Sequence, residues 1–121
     1  MSMQRKTGAH LWDAAEAAKL VREFAGGKTE EEFISDLVVR SAIERQLEIL
    51  GEALKRLRRD DADTAARVPG LERIVGLRNV LAHEYGDINY EILWLATTTE
   101  IPGLITILNE LVDEARDATG L

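Results

Sequence analysis

Apolar side chains recur along this chain with a period near three and a half, the spacing of helices that each bury one face. Leu11, Ala14, Ala15, Ala18, Val21 and Phe24 or Ala25 mark a first helix from about Thr7 to Ala25, and Gly26-Gly27 ends it. Thr29-Glu30-Glu31-Glu32 reads as a capping box, because a threonine hydroxyl and a glutamate three residues on satisfy orphan backbone donors. The spacing then predicts one long helix to about Arg59, with a stripe through Phe33, Leu37, Ile43, Leu47, Leu50, Leu54 and Leu57. Gly51 interrupts it at some cost in helix propensity, and the usual reason is close approach of another helix.

Residues 60–70 form the longest linker, polar at Asp60-Asp61-Ala62-Asp63 and punctuated by Pro69-Gly70, with room for a short turn of helix. A third helix starts at about Leu71 and carries Leu71, Ile74, Val75, Arg78, Leu81 and Ala82 on one face, so a cation stands in an apolar stripe. After a Glu84–Asn89 loop, Tyr90 to about Thr99 forms a fourth helix, with Asp87 or Asn89 available as N-cap. Pro102 occupies a tolerated first-turn position of a fifth, Ile101–Arg116. No strand-like alternation of useful length and no repeat appears. The expected fold class is all-α, a bundle of about five helices.

A chain of 121 residues suits one compact domain. An apolar content of 45% with mean hydropathy −0.15 suits a soluble globular protein. No apolar run approaches the roughly 20 residues that cross a bilayer, and Met1–Lys6 is not followed by a secretory pattern. Zero cysteines remove disulfides, thiolate nucleophiles and thiolate metal sites together, leaving a cytoplasmic location as the default. The net charge of −7 opposes general nucleic-acid binding, which rests on phosphate neutralisation. The acidity is uneven: residues 1–85 hold 14 basic and 15 acidic side chains, residues 86–121 one and seven.

The run Arg78-Asn79-Val80-Leu81-Ala82-His83-Glu84-Tyr85 places a fixed cation, an imidazole and a phenol close together, the parts of a metal-free phosphodiester-cleaving site. At about 100° per residue, Arg78 and Tyr85 share a face while His83 stands off it. Convergence of all three requires a turn after His83, which Gly86 and Asp87 allow, or a second copy.

The Arg-x4-His-x-Tyr pattern, the upstream block Glu44-Arg45-Gln46-Leu47-Glu48-Ile49-Leu50-Gly51-Glu52-Ala53 and the downstream Glu91-Ile92-Leu93-Trp94 resemble the HepT-like branch of the HEPN superfamily, from about His10 to about Val112. The resemblance implies a single helical domain with a core of about 10–116, a homodimer, ribonuclease toxin activity on RNA, and a small nucleotidyltransferase antitoxin as partner. It also implies that Tyr85 is the hydroxyl to which that partner attaches AMP, silencing the ribonuclease.

With that resemblance, Arg78 is the candidate phosphate ligand, since its planar fork donates two parallel hydrogen bonds and stays charged. The alternative is an internal salt bridge to Glu44, Glu48 or Glu52. His83 is the candidate general acid–base, half-protonated near neutral pH; its plainer reading is a C-terminal helix cap. Asn79, one turn before His83, either orients it or donates to phosphate, with an interhelical hydrogen bond as the plainer reading, and Tyr85 has the alternative of packing through its ring. Arg40 either completes a phosphate pocket or pairs with Asp36 or Glu44. His10 reads as a surface residue, and Lys55-Arg56-Arg58-Arg59 as a solvated helix end or a run that faces RNA or the acidic tail of a partner. No metal-ligand pattern and no cofactor motif is present. The expected dimer uses the third helix and part of the second, so that two Arg78–His83 pairs line one cleft. The rival reading is a non-catalytic nucleotide-binding or adaptor dimer partnering a nucleotidyltransferase, which the acidic balance favours.

Overall fold

A computed structural model describes residues 4–83 and 88–119; the side chains of Ala82, His83 and Thr119 also lie outside the description. The described residues form helices only: α1 (Arg5–Ala25), α2 (Glu30–Ser35), α3 (Leu37–Asp60), α4 (Ala62–Ala65), α5 (Leu71–His83), α6 (Tyr90–Thr99) and α7 (Ile101–Thr119). Five are the principal helices of an all-α, HEPN-like bundle, and α2 and α4 are short additions. Among the described residues no single helix is long and apolar enough to cross a membrane.

α1 is the central element, packed between α3 and α7. Its Ala14, Ala15, Ala17 and Ala18 are buried, and small side chains let neighbouring axes come close. From α3, Ile43, Leu47, Leu50, Leu54 and Leu57 are buried to 1% exposure or less, each contributing about 1.5–3 kcal/mol by leaving water. α7 closes the bundle with Ile101, Leu104, Ile105, Leu108 and Leu111. Gly27 adopts φ 74° just past α1, a left-handed position where a Cβ is costly.

The continuous helix expected from Thr29 to Arg59 is broken at Asp36. The capping box at Thr29 and Glu32 forms as expected, but α2 lasts only six residues. Asp36 has extended backbone (φ −91°, ψ 99°), and its carboxylate accepts from Val38 N (3.0 Å) and Val39 N (3.2 Å). It serves α2 as C-cap and α3 as N-cap, a local bonding alternative that competes with helix continuation. The stripe therefore slips. Phe33 remains buried and stacks on Trp94 of α6 (centroids 5.2 Å apart), whereas Leu37, expected in the core, is 63% exposed.

The cost of Gly51 has the expected cause. A Cβ built there would lie 2.2 Å from Arg78 Cβ and 2.8 Å from its Cγ, so α5 crosses α3 directly over the missing side chain. Leu71, Ile74, Val75 and Leu81 are buried on that helix. The α5 stripe is thus used within one chain, and Arg78 stands in it because it lies over Gly51. A second copy is not needed to account for that burial, so the charge in the stripe is no longer an argument for a dimer on this face.

Two glycines of this helix pair make a paired prediction. Gly51→Ala should lose about 2–3 kcal/mol in urea unfolding, because overpacking against a stem carbon outweighs the gain in helix propensity. Gly76→Ala, with nothing within 4 Å of its new methyl group, should gain up to about 1 kcal/mol. Equal responses would show that α3 and α5 are not in close contact.

Candidate functional site

Arg78 leaves α5 over Gly51 and meets the next residue of α3. Its Nη2 lies 3.0 Å from Glu52 Oε2, and its Nη1 donates to Asn79 Oδ1 at 3.1 Å. The Glu52 contact is an ion pair without a directed hydrogen bond, since that buried oxygen has no hydrogen-bond partner among the described residues. Arg56 Nε approaches the other Glu52 oxygen at 3.4 Å. The Arg78 side chain is 21% exposed. The result is a cation held from behind by one carboxylate and open on another side.

The open side faces a groove of about 410 Å³ running along α3 between α1 and α5. Trp12 and Glu16 of α1, Arg45, Glu48 and Arg56 of α3, and Arg78 are among the residues that line it. Of the pairings weighed for Arg78, the structure forms the one with Glu52. Register decides this: the Gly51 crossing places Arg78 beside Glu52 and leaves Glu44 two helical turns away along α3.

Arg40 is not brought to Arg78. Twelve residues of α3 separate it from Glu52, about 18 Å along the axis. Its Nη1 donates to Ile34 O at 2.6 Å, and its guanidinium lies 4.5 Å from the centre of the Tyr90 ring. Arg40 therefore ties the α2–α3 corner to α6. Glu44 lies one turn further along α3, with Oε1 buried and without a hydrogen-bond partner among the described residues. Burial raises its pKa above the usual carboxylate range, and the Arg40 charge and Tyr90 hydroxyl act in the opposite direction without cancelling it.

α5 remains helical through His83, so its backbone places positions 78 and 83 about 140° apart around the axis. The His83 side chain, Tyr85, and the turn sought at Gly86 and Asp87 lie outside the described residues. Asn89 caps α6, accepting from Glu91 N (3.1 Å) and Ile92 N (3.2 Å). Among the described residues no three His, Asp or Glu side chains gather as a metal site.

The sequence pattern of the family described as Ribonuclease HepT-like matches residues 14–111. The chain belongs to the HepT-like ribonuclease family. Its relatives include "Putative RNase MJ1380" of Methanocaldococcus jannaschii, 38% identical over 82% of this chain and 90% of that protein. Another is "Probable ribonuclease HepT" of Thermococcus cleftensis, 33% identical over 84% of this chain and 92% of that protein. A third, "Putative RNase TTE0752" of Caldanaerobacter subterraneus, is 38% identical over 71% and 76% respectively. No solved structure matches the chain.

Two further side chains of this HepT-like domain correct the sequence reading. His10 is not a surface residue: its Nε2 lies 2.7 Å from Asp60 Oδ2, with 13% of its side chain exposed. The partner is 50 residues away, beyond the reach of local pattern. Hydrogen bonds from Arg59 and then His10 hold the Asp60 carboxyl well below the usual range. The basic run is largely occupied at the end of α3, where Arg58 pairs with Glu72 and Arg59 with Asp60. Trp12 carried no assigned role in the sequence, yet it lines the groove at 48% exposure. Its signal was a bulky indole lying off the Leu11-Ala14-Ala15-Ala18 stripe.

Glu44 generates a pH prediction with a definite sign. A carboxyl whose folded pKa is raised binds protons more readily folded than unfolded, so its stability contribution falls as pH rises through the carboxylate range. Glu44→Gln should raise the melting temperature at pH 7, and the advantage should shrink toward pH 4. A variant less stable at pH 7 would show that Arg40 requires the Glu44 charge.

Proposed function

We propose that this HepT-like chain is a metal-independent endoribonuclease, the toxin of a toxin–antitoxin pair, working as a homodimer. The observation that carries the reading is Arg78: a guanidinium oriented by Glu52 and Asn79 yet open to a groove, on the same helix as His83. In the reaction His83 takes the proton of a ribose 2′-hydroxyl, whose oxygen attacks the adjacent phosphorus. The bond from phosphorus to the 5′-oxygen breaks, and that oxygen receives a proton from an imidazole. The products are a 2′,3′-cyclic phosphate and a 5′-hydroxyl. Arg78 stabilises the charge that develops on the phosphoryl oxygens, with Asn79 fixing the guanidinium plane. Arg40 is left with a supporting role at most, since its ring and carbonyl contacts lie at the other end of α3.

A homodimer supplies two imidazoles to divide the acid and base steps. The exposed apolar side chains Leu37 and Val38 of α3 and Ile92 and Leu95 of α6 offer area for its contact face, which must also bring the two His83-bearing ends of α5 to one cleft. Control rests on Tyr85. Its hydroxyl oxygen attacks the α-phosphorus of ATP in the active site of a partner nucleotidyltransferase, pyrophosphate leaves, and the attached AMP then competes with RNA for the Arg78 site.

The Arg78–Glu52 ion pair also favours a second reading, in which Arg78 only joins α5 to α3 and the protein is a non-catalytic adaptor for the nucleotidyltransferase. Cleavage by the purified protein separates the two. His83→Ala should lower RNA cleavage at least about a hundredfold with the melting temperature unchanged, and Arg78→Lys should lose most activity because an ammonium cannot reproduce the fork. Cleavage unaffected by either change would contradict the assignment. Co-expression with the nucleotidyltransferase should add AMP at Tyr85, detected by intact mass, and Tyr85→Phe should escape both modification and silencing.

A further inference from the structure

A half-exposed tryptophan shares a groove with Arg78. Trp12 is 48% exposed although α1 is packed between α3 and α7, and it stands on the α1 wall of the depression whose α5 edge is Arg78. The axial distance follows from the antiparallel packing of α1 on α3. Thr7 donates to Asp61 (3.0 Å) and His10 lies against Asp60, so Trp12 falls near the level of residues 56–58, four to six residues beyond Glu52. That is about 6–9 Å along the axis, the span of a nucleotide or two.

We propose that this groove binds the single-stranded RNA flanking the scissile phosphate, with one base stacked on the Trp12 indole while a neighbouring phosphate lies on Arg78. The assignment rests on the ribonuclease reading above for the role of Arg78, but the stacking site stands on Trp12 and the groove. A single-stranded base offers a flat apolar face that an exposed indole fits without sequence preference. Arg45 and Arg56, 69% and 51% exposed and each 3.4 Å from a glutamate, line the same groove from α3 and are free to turn toward phosphates, because such exposed pairings contribute little in water. Asp13, Glu16, Glu48 and Glu52 outnumber Arg45, Arg56 and Arg78 by one, so the groove as a whole is slightly acidic and exerts no long-range pull on RNA. Stacking, and not long-range attraction, then supplies the binding at this subsite, so the Trp12 contribution should vary little with salt.

Trp94 is packed on Phe33, so Trp94→Phe leaves Trp12 as the one indole of the chain. Titrating that protein with a 2′-O-methyl oligoribonucleotide, which lacks the nucleophile and cannot be cleaved, should quench Trp12 fluorescence. In the otherwise native chain Trp12→Ala should weaken oligonucleotide binding about tenfold at low and moderate salt alike, and Trp12→Phe should recover most of it. For a cleavable RNA the loss should fall on KM, with kcat changed by less than about twofold. Unquenched Trp12 while the oligonucleotide binds, or equal affinity in Trp12→Ala, overturns the proposal and leaves the catalytic reading standing. Quenching by RNA in a protein that cleaves nothing supports the groove and overturns the ribonuclease reading. Fluorescence that responds to the nucleotidyltransferase but not to RNA makes Trp12 a protein contact and also overturns the proposal.

Discussion

The close approach of α5 over Gly51 is the constraint from which the site's geometry follows. With no side chain at position 51, the Arg78 stem descends onto α3 and its guanidinium emerges beside Glu52. A cation on an apolar stripe is costly unless it is partnered. Here the partner is the next residue along α3, and the partial exposure of both groups keeps the desolvation cost down. The same crossing makes Arg78 an edge of the groove, so the helix contact that buries Ile74 and Val75 also presents a charge to that groove.

Around this crossing the bundle separates two tasks. The inner faces of α1, α3 and α7 carry the hydrophobic core, with α1 rich in alanine so that the axes come close. The opposite end is organised by Asp36 and Arg40, which break and then brace the chain so that Phe33, Tyr90 and Trp94 form an aromatic cluster between α2 and α6. That break leaves Leu37 and Val38 on the surface, and α6 exposes Ile92 and Leu95.

Much of this was legible in the sequence because it is written locally. Helical periodicity marked the principal helices, Thr29 with Glu32 formed the capping box it spelled out, and Gly51 announced a close helix crossing. Glu52 was one of three partners open to Arg78, and only the crossing register chose among them. The Asp36 break was missed because the apolar stripe runs through it; an aspartate ahead of Leu37-Val38-Val39 is a cap signal that the stripe masked. His10 with Asp60 and Trp12 with the groove were not legible, since each depends on α1 lying antiparallel to α3, a relation between residues far apart in sequence. Family membership was carried by the ordered motif blocks, and the comparison with known proteins bears it out.

The central claim is that Arg78, held by Glu52 at the Gly51 crossing, is a phosphate ligand and not a closed structural pair. Side-chain nitrogen NMR of Arg78, assigned with an Arg78→Lys control, tests it directly during titration with an uncleavable oligoribonucleotide. The account predicts that the Arg78 guanidinium resonances shift and that their proton exchange slows as RNA binds. Unmoved Arg78 resonances in a saturated RNA complex would contradict it.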